Sequence, residues 1–443
     1  ESEYLQYQNY LSSQCNFMLY INTPGADNIL NSIFSPSFQE EFKKSFSSSQ
    51  KFSSVGLQVV AEENKFYNNL YLSHSNKIQL ESNTIWESKT DTLFDFKPQL
   101  VDNHYTWEKE IFIQDLNNTI YLFNKEGRVL WKQQIPEKII SPIFQVDYYK
   151  NKKLQLLFNT QNYIYLIDRN GNNVENYPVK LRAKATNALN VFDYDKNRNY
   201  RIFIACENKK VYAYTIEGKI VNGWNFDKTE HKVKNPVQFY RYNSKDYIVF
   251  ADKKKVYILN RKGQERIKQK SFFPVSENNI VYFNTKNESF PGFLTTDTSG
   301  TIKIIGLTGE VKSKELNQFS GSHAFHFEDL DADGFNDYIF IDKKTLCAFN
   351  FKGKNLFTKR FDNNLYNRLL FFNFSNTNKK LGVFDPVNNE IFILNKEGDV
   401  QKGFPKPGSS LFSIGVLNNK DSFFSLIVGN HNQFLCNYKI DNN

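Results

Sequence analysis

The chain has 443 residues, 40% of them apolar, 16% aromatic and 23% charged, with a formal net charge of +9. That balance is too apolar for a disordered polymer, and no stretch approaches the roughly 20 uninterrupted apolar residues of a membrane-spanning helix. Lys and Arg are scattered as singles and short runs such as Lys253-Lys254-Lys255, which reads as a solvated basic surface with no nucleic-acid-binding arm.

The chain starts at Glu1 without an initiating Met or a charged-then-apolar leader. We expect a processed or trimmed chain, so the missing leader carries no weight for the compartment. Residues 1–81 read as a small α+β segment, either complete or part of a larger domain. Asn9 to Tyr20 mixes polar and apolar residues, Asp27 to Phe46 predicts a helix, the Ser-rich run Ser45 to Ser54 predicts a loop, and Gly56 to Leu72 alternates as paired strands do.

From 82 to 443 the sequence repeats. A short apolar run ending in a turn glycine recurs at Gly127, Gly171, Gly218, Gly263, Gly309, Gly353 and Gly398, and a weaker copy ends at Asn442. Two β-rich runs precede each of these and a fourth follows, ending in an aromatic as in Asn176-Tyr177-Pro178, Gly223-Trp224 and Gly403-Phe404-Pro405. Four short strands in a unit of about 45 residues are the pattern of a propeller blade. The glycine supplies the positive φ of a tight turn. The fold class is therefore mainly β: an eight-bladed β-propeller of four-stranded blades, with seven blades as the alternative.

The last unit stops after its third strand. Thr84-Ile85-Trp86-Glu87 aligns with Val129-Leu130-Trp131-Lys132, and Pro98 with Pro142, so a strand near 84–93 is expected to complete the eighth blade and hide the open edges of the array. Most Phe and Tyr are expected to alternate along strands and fill the space between blades.

Cys15, Cys206, Cys347 and Cys436 are far apart and form no Cys-x-x-Cys pair, and three of them fall inside strand-like runs, so small core residues are expected in place of disulfides or a zinc site. Asp193 to Arg201, between the first two strands of the third blade, carries Arg at its ninth position, which argues against a metal there. Asp297-Thr298-Ser299-Gly300-Thr301 describes a hairpin loop. His323 and His326 are three apart and point to opposite faces if both lie in one strand. No P-loop, dinucleotide-binding glycine pattern or Gly-x-Ser-x-Gly elbow is present, and no converging set of acids, bases and nucleophiles is visible. The expectation is a non-catalytic protein.

The sharpest motif is Asp329-Leu330-Asp331-Ala332-Asp333-Gly334-Phe335-Asn336-Asp337, in the sixth blade. Carboxylates at positions 1, 3, 5 and 9, with the Phe335 carbonyl at position 7, can converge on one hard cation such as Ca2+. The competing reading is an Asp-rich turn that caps its own backbone without a metal.

The repeat grammar, the turn glycine, the Gly-Trp or Tyr-Pro strand end and the Asp-rich loop resemble propellers of the quinoprotein-like and FG-GAP-like kinds over roughly residues 84–443. The FG-GAP resemblance implies a calcium site at Asp329, Asp331, Asp333 and Asp337. Tryptophan-docking repeats are absent, so the resemblance does not extend to a quinone-dependent dehydrogenase. The Lys-, Asn-, Phe- and Ile-rich composition, with an N-terminal α+β segment leading into the array, is similar to envelope proteins of the Bacteroidota, and among them to the plug family of the type IX secretion translocon. That resemblance implies a periplasmic protein, peripheral to the outer membrane, which closes the mouth of a large outer-membrane barrel and partners that barrel and other envelope proteins. The alternative is a glycan-binding or hydrolytic propeller with a ligand site in the central channel, where Gln145, Asn190, His326 and Asn373 supply polar groups from the first strands.

Overall fold

The computed structural model describes residues 15–22, 52–62, 65–74, 84–285 and 291–441. The chain divides into two compact units, Glu1–Asn83 and Thr84–Asn443. The first holds an antiparallel sheet of three strands in sequence order, β1 (Phe17–Asn22), β2 (Phe52–Glu62) and β3 (Lys65–His74). Gly56, Gln58 and Val60 of β2 are buried, while Leu57 and Val59 between them are half-buried, the two-residue period of a sheet with one covered face. The paired strands expected over 56–72 are β2 and β3. The helix expected over 27–46 lies outside the described residues.

Among the described residues, the second unit forms eight antiparallel sheets. Numbered along the chain, blade 1 spans 99–134, blade 2 144–180, blade 3 190–215, blade 4 238–267, blade 5 282–314, blade 6 324–360 and blade 7 370–407. Blade 8 takes three strands from 413–440 and its outer strand from Thr84–Lys89, which pairs antiparallel with Phe434–Ile440 through Phe434↔Lys89 and Cys436↔Glu87. The splice places the start of the array beside its end, and eight is the number of blades.

One apolar cluster fills each contact between neighbouring blades, and the eighth joins blade 8 to blade 1. In blade 1, Ile111, Ile113, Tyr121 and Phe123 pack towards blade 8, whereas Phe112, Ile120 and Leu122 pack towards blade 2. The second and third strands are thus buried on both faces and read as continuous apolar runs, as strands sandwiched between layers do. Alternating exposure is confined to outer strands such as Thr84–Lys89. Cys206, Cys347 and Cys436 sit buried in three of these clusters as free thiols.

Blade 3 departs from the four-strand expectation: its sheet has three strands. The run that would form the fourth makes a single bridge, Tyr214↔Ile220. It then turns away at Gly223 (φ 89°), and the Trp224 indole, in place of a backbone amide, donates to the Val211 carbonyl at 2.7 Å.

Outer strands also clasp the next blade. Trp86 Nε1 donates to the Lys125 carbonyl at 2.8 Å and Trp131 Nε1 to the Arg169 carbonyl at 2.6 Å, in both cases on the hairpin turn of the following blade. The Trp86 ring lies 2.6 Å from where a Cβ on Gly127 would stand, so this turn glycine serves close approach as well as its φ of 79°. Gly403 has a comparable φ of 85° and open space around it. Gly403→Ala should therefore cost about 1–2 kcal/mol from the left-handed backbone alone, and Gly127→Ala about 1–3 kcal/mol more because Trp86 must move. Denaturant unfolding of the two variants checks the order.

Candidate functional site

The Asp329–Asp337 loop joins the first and second strands of blade 6, Ala324–Glu328 and Asp337–Asp342. Its carboxylates shape it from within. Asp331 accepts from the Asp333 amide (3.1 Å), Asp329 from the Gly334 amide (3.1 Å) and Asp333 from the Phe335 amide (2.8 Å). Ala332 and Gly334 take left-handed φ values of 61° and 93°. One oxygen each from Asp329, Asp331 and Asp333 then lies within 4.8 Å of the others. The Phe335 ring stacks on Phe351, with centroids 4.5 Å apart, which anchors the seventh position.

Asp337 approaches from the interior and is fully buried. Its Oδ2 accepts from the Leu330 and Asp331 amides at 2.9 and 3.2 Å. Its Oδ1 is buried without a hydrogen-bond partner, and so is Oδ1 of Asp329. Burial pushes the Asp337 carboxyl up to about 7, the two amides pull it down, and the charges of Asp331 and Asp333 push it further up. An orphaned buried carboxylate oxygen costs about 1–3 kcal/mol or more when charged.

Two other blades carry the same loop and close it on protein donors. In blade 2, Asp147 accepts from the Asn151 and Lys152 amides at 2.9 and 2.8 Å, and the Arg198 guanidinium lies 3.1 Å from it. The ninth position there is Gln155, whose Oε1 accepts from the Tyr148 amide at 2.8 Å while its Nε2 donates to the Lys153 carbonyl at 2.8 Å. In blade 3, Asp193 accepts from the Asn197 and Arg198 amides, and Arg201 in the ninth position donates to the Asn199 and Tyr200 carbonyls. An amide or a guanidinium can satisfy its surroundings alone, but the blade 6 loop brings three carboxylates together, those of Asp329, Asp331 and Asp333, with the buried Asp337 behind them and outside that group, and two oxygens are left over. That donor set is oxygen only, which fits a hard divalent cation and lacks the nitrogen and sulfur ligands of zinc or copper centres.

Of the four polar residues expected to line a ligand site in the channel, Gln145 and Asn190 are engaged in joining blades, as are Tyr240 and Ser413 of other first strands. Gln145 exchanges two bonds with the Asp102 backbone, at 2.7 and 2.9 Å. Asn190 Nδ2 donates to the Val237 carbonyl (2.8 Å), the Tyr240 hydroxyl to the Val281 carbonyl (2.7 Å) and Ser413 Oγ to the Pro98 carbonyl (2.5 Å). Asn373 is exposed at the end of its strand. His326 is pushed down to about 4 by burial and then by the Arg368 charge. His323 precedes that strand and is buried elsewhere, 2.8 Å from Thr296 Oγ1 and 2.7 Å from the Ser320 carbonyl. The two histidines are not brought together as a pair. Asp297 caps its own hairpin, accepting from the Ser299 and Thr301 amides.

A second set of ties escaped the sequence reading. Asn187 Nδ2 donates to the Asn235 carbonyl, Asn235 Nδ2 to the Asn279 carbonyl (both 2.8 Å), and Asn279 Oδ1 accepts from the Phe325 amide (2.7 Å), linking blades 3 to 6. The signal was an Asn recurring at nearly the same place in three successive repeats, just ahead of the first strand. A recess of about 740 Å³ opens beside Asn187, lined among others by Glu137, Lys138, Gln161, Asn162 and Lys234. Glu137 is held there by the Asn162 amide groups at 2.9 and 2.6 Å.

No protein-family model matches the sequence, and no curated protein matches it. Among solved structures, BamB from Moraxella catarrhalis is similar with a TM-score of 0.51 at 13% identity, covering 81% of this chain and 97% of that one. The quinohemoprotein alcohol dehydrogenase from Comamonas testosteroni reaches 0.53 at 8% identity, covering 80% and 76%. At such identities the likeness defines the fold, and the protein is a β-propeller.

The raised Asp337 carboxyl sets a pH dependence. Between its ordinary 3.8 and about 7, the folded state holds a proton that the unfolded chain has lost, so this group's contribution to stability falls as pH rises through that window. In chelator, the stability of wild type relative to Asp337→Asn should decline from pH 4 to 7 and level off above. Chemical denaturation of both proteins across the range measures it.

Proposed function

We propose that the protein is a non-catalytic interaction propeller of the bacterial envelope, acting in the periplasm as the plug of the type IX secretion translocon. The observation that carries the general reading is that four polar side chains of first strands, Gln145, Asn190, Tyr240 and Ser413, are each bonded to a neighbouring blade's backbone. Those groups brace the ring, and its rims remain for partners. The specific reading rests on the resemblance in composition and organisation described above. A plug must stay rigid over a wide opening. Eight interblade cores and a spliced eighth blade give a disc without free ends in its ring.

One structural Ca2+ held by Asp329, Asp331, Asp333, the Phe335 carbonyl and Asp337 belongs to this reading. It would neutralise the acidic cluster and supply a partner to the orphaned oxygens, stapling the first two strands of blade 6 together. At calcium about 100-fold above its Kd, stability should rise by about 2–3 kcal/mol, and Asp331→Asn should abolish the rise while chelated proteins differ little. Calorimetric titration and thermal melts check this.

The plug role is tested by affinity purification of tagged protein from native envelopes in mild detergent. Co-isolation of a very large outer-membrane barrel is the expected outcome, with lower channel conductance when the propeller is present. Recovery of the protein alone would defeat the stable-plug reading.

A further inference from the structure

The antiparallel order of strands puts the loops between first and second strands of all blades on one face. On that face three large aromatics stand exposed on adjacent loops: Tyr105 (64%) and Trp107 (56%) in blade 1 and Tyr149 (55%) in blade 2. The loops are tied together. The Leu154 amide donates to His104 Nδ1 at 3.2 Å, and Lys153 Nζ and the Arg169 guanidinium lie 5.8 and 6.0 Å from the Tyr105 ring centroid. The blade 3 loop joins them through Arg198, which donates to the Lys150 carbonyl at 3.2 Å.

The backbone holds this display at a cost. Trp107, Lys150, Lys152, Lys196 and Arg198 have left-handed φ values of 59°, 55°, 70°, 52° and 63°, a region where bulky side chains are uncommon and strained. In the equivalent blade 6 loop, Ala332 and Gly334 fill the positions held by Lys150 and Lys152 in blade 2. Small residues suffice for the conformation, so its geometry alone does not call for lysine.

The charges divide by type. The arginines of this sector are engaged: Arg169 pairs with Glu110, Arg198 with Asp147, and Arg261 with Asp195 and Asp246, while Arg201 donates to the Asn199 and Tyr200 carbonyls. Asp147 and Asp193 turn inward onto backbone amides. The exposed lysines Lys152, Lys153 and Lys196 form no ion pair among the described residues, and Lys150 reaches only the Asn199 side chain at 2.7 Å. Lysine is a flexible, strongly hydrated point charge, and clustered basic residues near a bilayer surface are attracted to its anionic lipids. Tyr and Trp beside unpaired Lys are the residues that seat at the headgroup level of a bilayer.

We infer that the loops 103–108, 147–154 and 193–200 of blades 1 to 3 form a docking surface for an anionic phospholipid bilayer, with Tyr105, Trp107 and Tyr149 entering the headgroup layer and Lys150, Lys152, Lys153 and Lys196 facing its phosphates. This assignment stands apart from the plug role, because the isolated protein needs no translocon to bind lipid.

The test is sedimentation of the full chain with vesicles of phosphatidylcholine alone or mixed with phosphatidylglycerol. Binding to the mixed vesicles should be roughly tenfold tighter or more, should weaken on adding salt, and should fall roughly tenfold in Lys150→Glu/Lys152→Glu/Lys153→Glu. Tyr105→Ser/Trp107→Asn/Tyr149→Ser should lose a comparable amount. Because Trp86, Trp131 and Trp224 have their indole groups bonded inside the fold, a blue shift of emission on adding vesicles reports Trp107, needs no folded multiple variant, and should vanish in Trp107→Phe. Equal binding to both vesicles, or no binding and no blue shift, would overturn the inference. If the same substitutions then weakened recovery of an envelope protein, the surface would belong to an acidic protein partner, while co-isolation of the barrel would still be judged separately.

Discussion

A blade of this ring is apolar on both faces, and closure of the ring is the constraint on which the rest depends. A sheet with Ile111 and Phe112 pointing in opposite directions has no face to offer water, so it is stable only between two others. That requirement extends around the array until the first and last repeats meet. Borrowing Thr84–Lys89 as the outer strand of blade 8 meets it, because the hydrogen bonds of the splice cannot form until both ends of the chain are in place. The side-chain ties follow the same logic, each reaching across a contact the apolar core has already brought together.

With the core carried by the second and third strands, the loops are free to differ. Blades 2, 3 and 6 build one loop conformation from three sequences, and all three turn the carboxylate at its first position onto backbone amides. What fills the rest decides the chemistry. Gln155 and Arg201 complete two of the loops with neutral or cationic groups, and Asp337 leaves the third with excess negative charge and orphaned oxygens. The same positions that carry Ala332 and Gly334 beside the acidic cluster carry lysine and arginine on the aromatic sector. One face of the disc therefore presents two unlike electrostatic environments on a single scaffold.

Much of this was legible in the sequence. The turn glycines repeat because each serves a φ that only glycine adopts without strain, and in Gly127 a close approach by Trp86 as well. The splice was readable from Trp86 aligning with Trp131, since both do the same job on the next blade's turn. The missing fourth strand of blade 3 was not readable. Lys219 to Trp224 carries similar residue types to its counterparts, and the Trp224 indole bonds the Val211 carbonyl where no fourth strand forms. Gln145 and Asn190 looked like ligands for a similar reason: composition along a strand does not reveal which backbone group of a neighbouring blade stands opposite.

The sequence by itself determined the β-propeller, its repeat and the acidic loop, because period, turn residues and local spacing are properties of contiguous chain. Only the tertiary structure decided that Asp337 is buried with an unsatisfied oxygen, that Gln145 and Asn190 tie blades together, and that Tyr105, Trp107 and Tyr149 gather with unpaired lysines on one face. The last two of those facts depend on residues more than 40 positions apart being brought together by the packing of neighbouring blades, and no local pattern encodes which partner a side chain will meet across a blade-to-blade contact.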